Sequence, residues 1–156
     1  MNTSANQIFE PRDPDFESKV RTSFELQKVM ATLGIELSSV LPGEVELRME
    51  YDDALTQQHG FIHAGITTTA MDSACAYAAF SLMPQNAAVL TVEFKTTLLA
   101  PAKGSEFHFC GQVLKPGKTL TYTEGYAWAL DGADRVLVAS MTATIMALHD
   151  RNDLRL

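Results

Sequence analysis

The sequence predicts an α+β domain: one long central helix wrapped by a curved, mostly antiparallel sheet of about six strands, with an extra helix at the N-terminus. Three observations predict it. Residues 64–83 form a helix-compatible run without Lys, Arg, Glu, Asn or Gln and with one charge, Asp72; a helix that is apolar or small on every face is a buried one. The segments around it alternate with period two, as strands with one buried and one wet face do. Their order is helix, two strands, long helix, four strands, and such a meander buries a helix only if the sheet curls round it.

Composition agrees. The 156 residues suit one domain with a sizeable core. With 46% hydrophobic and 20% charged residues, the chain reads as globular rather than disordered. A net charge of -7 argues against nucleic-acid binding, which needs clustered Lys and Arg. Cys75 and Cys110 lack metal-ligand spacing and would stay reduced in an intracellular chain; Cys75, on the apolar run, reads as a packing residue. No basic region leads into an apolar stretch at the N-terminus. The central run, mostly Ala with three successive Thr and Asp72, does not suit a membrane span. The expectation is a cytoplasmic protein with no membrane, metal or cofactor.

The elements follow in order. Residues 1–12 are polar and irregular, a loose tail. Asp13-Pro14 fits an N-cap followed by Pro at the first helical position. Phe16, Val20, Phe24, Met30 and Leu33 then recur at helical spacing up to Gly34 as C-cap, one amphipathic surface helix. A strand is expected over residues 35–41 and, after Pro42-Gly43, a second in which Val45, Leu47, Met49 and Tyr51 alternate with Glu44, Glu46, Arg48 and Glu50. Beyond the central run, residues 88–99 are strand-like, with Leu90, Val92, Phe94 and Thr96 on one face and Thr91, Glu93, Lys95 and Thr97 on the other. Three more strands span 106–114, 119–130 and 135–148, joined by turns at Pro116-Gly117 and Asp131-Gly132. The single domain is therefore residues 13–149, and 150–156 form a frayed tail.

The chemistry is expected around the start of the long helix. Its first backbone N–H groups have no internal acceptor and sit at the positive end of the dipole. Ala64 and Gly65 are small enough for a substrate oxygen to approach them, the geometry of an oxyanion hole. Asp72 is costly to bury unless paired or put to use. It lies eight residues beyond Ala64, about 12 Å along a helix, too far for both to serve one carbonyl. Two copies related by a two-fold axis would bring them together, so the spacing implies an obligate homodimer with shared sites. His63 is either a general base or a residue that fixes the loop before the helix; the second role fits its position better. His59 reads as a loop residue, and His108 and His149 carry no signal. No Ser-His-Asp or metal arrangement stands out.

Residues 57–72 resemble the PaaI-like acyl-CoA thioesterases of the hot-dog superfamily. Their hallmark is an Asn, then Gly, then His-Gly-Gly, then an Asp nine residues after that His. Gly60, His63, Gly65 and Asp72 fall in register, and the likeness continues through Leu90-Thr91-Val92-Glu93-Phe94 and Ala100-Pro101-Ala102. The resemblance implies Asp72 as nucleophile or as the base that activates water, and the Ala64 N–H as the group that polarises the thioester carbonyl. It implies Gln57 as the residue that positions substrate or water, and Thr91 as an assistant from the Asp side. Ala64 stands where the family usually has Gly, and Gln57 where it has Asn. Gly60, Ile62 and Gly65 are expected on the substrate side of the loop, with Lys95, Lys103 and Lys118 as candidates for the CoA phosphates. The implied activity is hydrolysis of a medium- or long-chain or aryl acyl-CoA to acid and CoA, by a homodimer or a dimer of dimers (homotetramer). Two rivals are a hot-dog enoyl-thioester hydratase or dehydratase using His63 with Asp72, and a non-catalytic acyl-CoA-binding protein. The Pro-rich stretch of the dehydratases and the Asp-His spacing of the hydratases are both missing.

Overall fold

A computed structural model describes residues 9–149. Helices α1 (Phe16–Glu25) and α2 (Lys28–Leu33) precede β1 (Ile35–Leu41), β2 (Glu44–Glu50) and a 3-10 turn (Asp53–Leu55). Then come α3 (Ala64–Phe80), β3 (Ala87–Leu98), β4 (Glu106–Lys115), β5 (Leu120–Asp131) and β6 (Asp134–His149). The strands form one six-stranded sheet in the order β1-β2-β4-β5-β6-β3, antiparallel at every pairing. This is the expected architecture, with α3 in the hollow of the sheet. The β3 strand crosses over to become an edge.

The helix packs closely because the sheet makes room for it. Gly111 and Gly125 are register partners on β4 and β5. A Cβ at Gly111 would lie 2.3 Å from the Ala74 carbonyl carbon, and one at Gly125 would lie 2.9 Å from Cys75 Sγ. At Gly111 backbone rests on backbone and at Gly125 on the Cys75 side chain, and overpacking of this kind typically costs about 1–3 kcal/mol. Phe107, Phe109, Leu47, Met49 and Ile145 fill the rest of the inner face.

Three expectations about the helices are corrected. The N-terminal helix is two helices, because Phe24 and Met30 are six residues apart and cannot share a 3.6-residue face. Gln27, extended at ψ 92°, breaks the helix between them, and both Phe24 and Met30 are then buried. The cap is also shifted: Asp13 Oδ1 accepts the Asp15 N–H at 3.0 Å, ahead of the helix start at Phe16, while Gly34 closes α2 at φ 65° as expected. The central helix stops at Phe80, not residue 83. Ser81 ends it, with Oγ donating to the Ala78 carbonyl (2.7 Å) and accepting from the Gly43 N–H (2.8 Å). Lys19 then takes the Met83 carbonyl at 2.7 Å.

Tyr51, expected on the buried face of β2, lies just past the strand and is exposed, its hydroxyl donating to the Gly60 carbonyl at 3.2 Å. Phe9, within the expected N-terminal tail, packs against the core. Residues 1–8 and 150–156, which hold most of both expected tails, lie outside the described residues. Among the described residues no helix is long and apolar enough to cross a membrane.

Candidate active site

The long helix is not buried all round. Ten of its residues are, but Gly65, Ile66, Thr68, Thr69, Asp72 and Ala76 are exposed or half-exposed. At helical spacing these residues share one stripe, and it runs beside the edge strand β3. Thr68 Oγ1 lies 3.5 Å from Thr96 Oγ1, and Thr91 Oγ1 donates to Asp72 Oδ1 at 2.8 Å.

A bulge makes both contacts possible. Thr91 pairs with Ile145 and Glu93 with Thr144, so Val92 is the extra residue. An extra residue switches the alternation of faces beyond it. Thr91 therefore shares the helix-facing side with Phe94, Thr96 and Leu98, while Leu90 shares the outer side with Glu93, Lys95 and Thr97. Strict alternation across residues 88–99 was expected, and it would have put Thr91 and Thr96 on opposite faces. Lys95 is consequently not on the Asp72 face. It stands on the outer face opposite Thr142.

Burial raises the Asp72 pKa, and the Thr91 hydrogen bond partly opposes this. A carboxylate pushed toward neutrality is a better base, and perturbed groups of this kind cluster at functional sites. The thiols offer no alternative nucleophile. Burial pushes Cys75 and Cys110 up to about 12, so neither forms a thiolate at neutral pH. Among the described residues no three His, Cys, Asp or Glu side chains converge on a metal site.

At the start of α3, His63 is the N-cap: its Nδ1 accepts the Gly65 N–H at 2.9 Å. That bond fixes the tautomer with the proton on Nε2 and gives His63 the loop-fixing role. It also uses the Gly65 amide, while the Ile66 and Thr67 amides reach the His63 carbonyl. The Ala64 N–H, at the first helical position, has no intrahelical acceptor. A Cβ at Gly65 would meet His63 Nδ1 at 3.1 Å, so a small residue there lets the imidazole cap the helix.

The preceding loop is braced at both ends. Ile62 N–H donates to the Ala102 carbonyl (3.1 Å) and His63 N–H to the Leu55 carbonyl (2.9 Å). Gly60 turns the chain at φ 78°, and its N–H reaches the Gln57 carbonyl at 3.0 Å. The Gln57 side-chain oxygen accepts the His59 N–H, so this carboxamide is turned onto its own loop. Gln57, Phe61, Ile62, Ala64 and Thr67 then line one wall of a cleft of about 390 Å³, faced by residues 98–102 and Val138. No chemical signal in the sequence marks this far wall beyond the Ala100-Pro101-Ala102 stretch. Lys103 follows Ala102 of this wall in sequence, whereas Lys118 lies in a separate hollow with Met83, at the other end of α3.

The site is thus in two parts on one helix. The Ala64 amide and its cleft form one part, and Asp72 with Thr91 the other, eight residues away.

Residues 59–136 match the thioesterase superfamily. A thioesterase family protein from Silicibacter pomeroyi is 57% identical in sequence, with a TM-score of 0.85 over 86% of this chain and 98% of that one. Acyl-coenzyme A thioesterase 13 from Homo sapiens is 33% identical over 90 residues. That match spans 57% of this chain and 64% of the human protein, just under two thirds of its length. The PaaI protein from the phenylacetic acid degradation operon of E. coli shares the fold at 19% identity, with a TM-score of 0.78 over 88% of this chain and 96% of that one.

Proposed function

The chain belongs to the thioesterase superfamily, and on that footing we propose that it hydrolyses the thioester of an acyl-CoA, giving a carboxylic acid and free CoA. The carrying observation is the half-buried Asp72, its pKa raised, held at 2.8 Å by Thr91 on a helix otherwise free of charge. In this reading the thioester carbonyl oxygen accepts the Ala64 N–H. Asp72, oriented through Oδ1 by Thr91, takes a proton from water as the water oxygen bonds to the carbonyl carbon. The Ala64 amide and the helix dipole stabilise the resulting oxyanion. Collapse breaks the C–S bond, and the proton held by Asp72 passes to the departing thiolate. Gln57 lines the cleft wall alongside Ile62; with its carboxamide oxygen held by the His59 N–H, it is the NH2 end that orients the acyl-CoA. Lys103, the residue after Ala102 of the far wall, is the cation proposed for a CoA phosphate.

The two halves meet on one carbonyl only between chains, so the active unit in this reading is a homodimer. Its support is the β3 edge. Phe94 and Leu98 lie on the helix-facing side yet are about half exposed, and Val92 and Leu99 beside them are exposed too. A twelve-residue edge strand that leaves Val92, Phe94 and Leu98 exposed is a template for pairing with a second copy. A panel of acyl-CoA substrates assayed for free thiol tests the activity. Release of CoA thiol by wild type, and its loss in Asp72→Asn by roughly 10²–10⁴-fold, is the expected result. Hydration of a crotonyl thioester without thiol release would favour the hydratase alternative, and binding without turnover the non-catalytic one.

A further inference from the structure

The loop before α3 is fixed at its base by backbone and at its tip by a side chain to which the proposed chemistry gives no role. Thr56 and Ile62 pair as an antiparallel bridge. With the bonds from the Ile62 and His63 amides, this leaves residues 57–61 as a short turn on a braced base. Within the turn, the Gln57 N–H reaches the Phe61 carbonyl at 2.9 Å and the Gly60 N–H reaches the Gln57 carbonyl at 3.0 Å. These bonds close the turn on itself but do not aim it. A turn tied only at its base, with Gln58, His59 and Gly60 exposed, belongs to the parts of a fold that open most readily.

Tyr51 reaches that tip from the sheet. Its backbone N–H donates to the Ser105 carbonyl at 3.0 Å, and the Ser105 N–H donates to the Leu130 carbonyl at 2.8 Å, so the residue is rooted where β4 begins. Its hydroxyl donates to the Gly60 carbonyl at 3.2 Å, while Asp53 Oδ1 stands 3.4 Å away as a second acceptor. A phenol has one proton to give, and the contact to Gly60 is the shorter. The carbonyl it holds belongs to the peptide joining Gly60 to Phe61. Gly60, at φ 78°, has no Cβ to stiffen that peptide, which turns easily unless its carbonyl is held. Phe61 and Gln57 both line the cleft, and the Gln57 carboxamide oxygen is bound to the His59 N–H inside the same turn. Where the turn points, the carboxamide NH2 points.

We propose that Tyr51 is a positioning residue: by holding the Gly60 carbonyl from the sheet, it fixes the turn of residues 57–61 and aims the Gln57 carboxamide at the acyl-CoA. The proposal rests on the thioesterase reading for its substrate, while the holding of the turn is measurable without turnover. Tyr51 acts through the turn and not on the reacting atoms. Its loss therefore weakens substrate binding and leaves the chemical step alone, the pattern of a raised KM at constant kcat. The side chain is 39% exposed and outside the hydrophobic core, so removing its hydroxyl leaves the fold intact.

The test is Tyr51→Phe, alone and combined with Gln57→Ala, with Asp53→Ala as the control for the second acceptor. One neutral hydrogen bond is worth about two- to tenfold in an equilibrium. Tyr51→Phe is expected to speed amide exchange at Gln57 and Gly60, read by NMR, by about two- to tenfold, with exchange in α3 and β5 unchanged. In free-thiol release it should raise KM by about the same factor and keep kcat. On a Gln57→Ala background it should change KM by less than about 1.5-fold, because the group being aimed is gone. Asp53→Ala should match wild type in both measurements. Unchanged exchange in Tyr51→Phe, an equal KM effect with and without Gln57, or an Asp53→Ala variant that behaves like Tyr51→Phe would overturn the proposal. Absence of thiol release from every acyl-CoA in wild type would instead overturn the thioesterase reading, and amide exchange would still decide whether Tyr51 holds the turn.

Discussion

The most exacting test of the two-part site is complementation between two inactive chains. The perturbations are Ala64→Pro and Asp72→Asn. Proline removes the one amide that the helix start leaves open, and the structure accommodates it. Ala64 is the first helical residue, where Pro is well tolerated. His63 before it already has φ -62° and ψ 138°, the extended conformation that a following proline requires. Asparagine at 72 keeps an acceptor for Thr91 and removes the base. Loss of one oxyanion donor typically costs about 10²–10³-fold, and loss of a general base about 10²–10⁴-fold. Each homodimer should therefore retain about 1% of activity or less. When the two are unfolded together and reannealed in equal amounts, half the dimers are mixed. A mixed dimer holds one site with both defects and one with neither. A statistical mixture should recover about a quarter of wild-type activity, some 25-fold above either parent. The assay is thiol release from one acyl-CoA, with mixed dimers quantified by native mass spectrometry. No recovery beyond the parents, with mixed dimers present, would refute the shared site.

Two further predictions follow from the same helix. Because burial raises the Asp72 pKa in the folded chain, this group favours the folded state at low pH and loses that contribution as pH rises through the folded value. Asp72→Asn should therefore melt higher than wild type at pH 7, with the gap closing toward about pH 4, the ordinary Asp range; an equal Tm difference at both pH values, read by scanning calorimetry, would contradict the burial argument. His63→Ala should cost about 1 kcal/mol through the lost N-cap, and His63→Asn, which can cap equally well, should restore both Tm and turnover. A hundredfold fall in kcat for His63→Asn would instead give the imidazole a chemical role.

Much of this architecture was legible because the sequence leaves α3 few alternatives. A helix-length run with one charge has to sit in the middle of the fold, and the isolation of Asp72 marked it at once. The strands of the meander were legible from alternation, since β1, β2 and β4–β6 each have one face turned to the core. The break after Phe24 was also visible, as the six-residue gap to Met30, but a helical reading spans such a gap unless the burial of both residues is required together. What local pattern could not reveal is how open the helix is. Its exposed stripe is made of Gly, Thr and Ala, residues that look the same in a core as beside an edge.

The least legible feature is the bulge at Val92, and the site depends on it. Residues 88–99 alternate well enough to fit either phase, so propensity and periodicity are satisfied with or without an extra residue. The choice is made by β6, far away in sequence, whose buried Ile145 sits opposite Thr91 and whose Ala143 sits opposite Phe94. One phase throughout would turn either Thr91 away from Asp72 or the Phe94, Thr96 and Leu98 row away from α3. With Val92 unpaired, both stay on the helix side. The hydrogen bond that holds Asp72 and the apolar edge that a second copy would cover are thus set by the same residue. A deletion of Val92 would keep the strand's composition and lose one of the two.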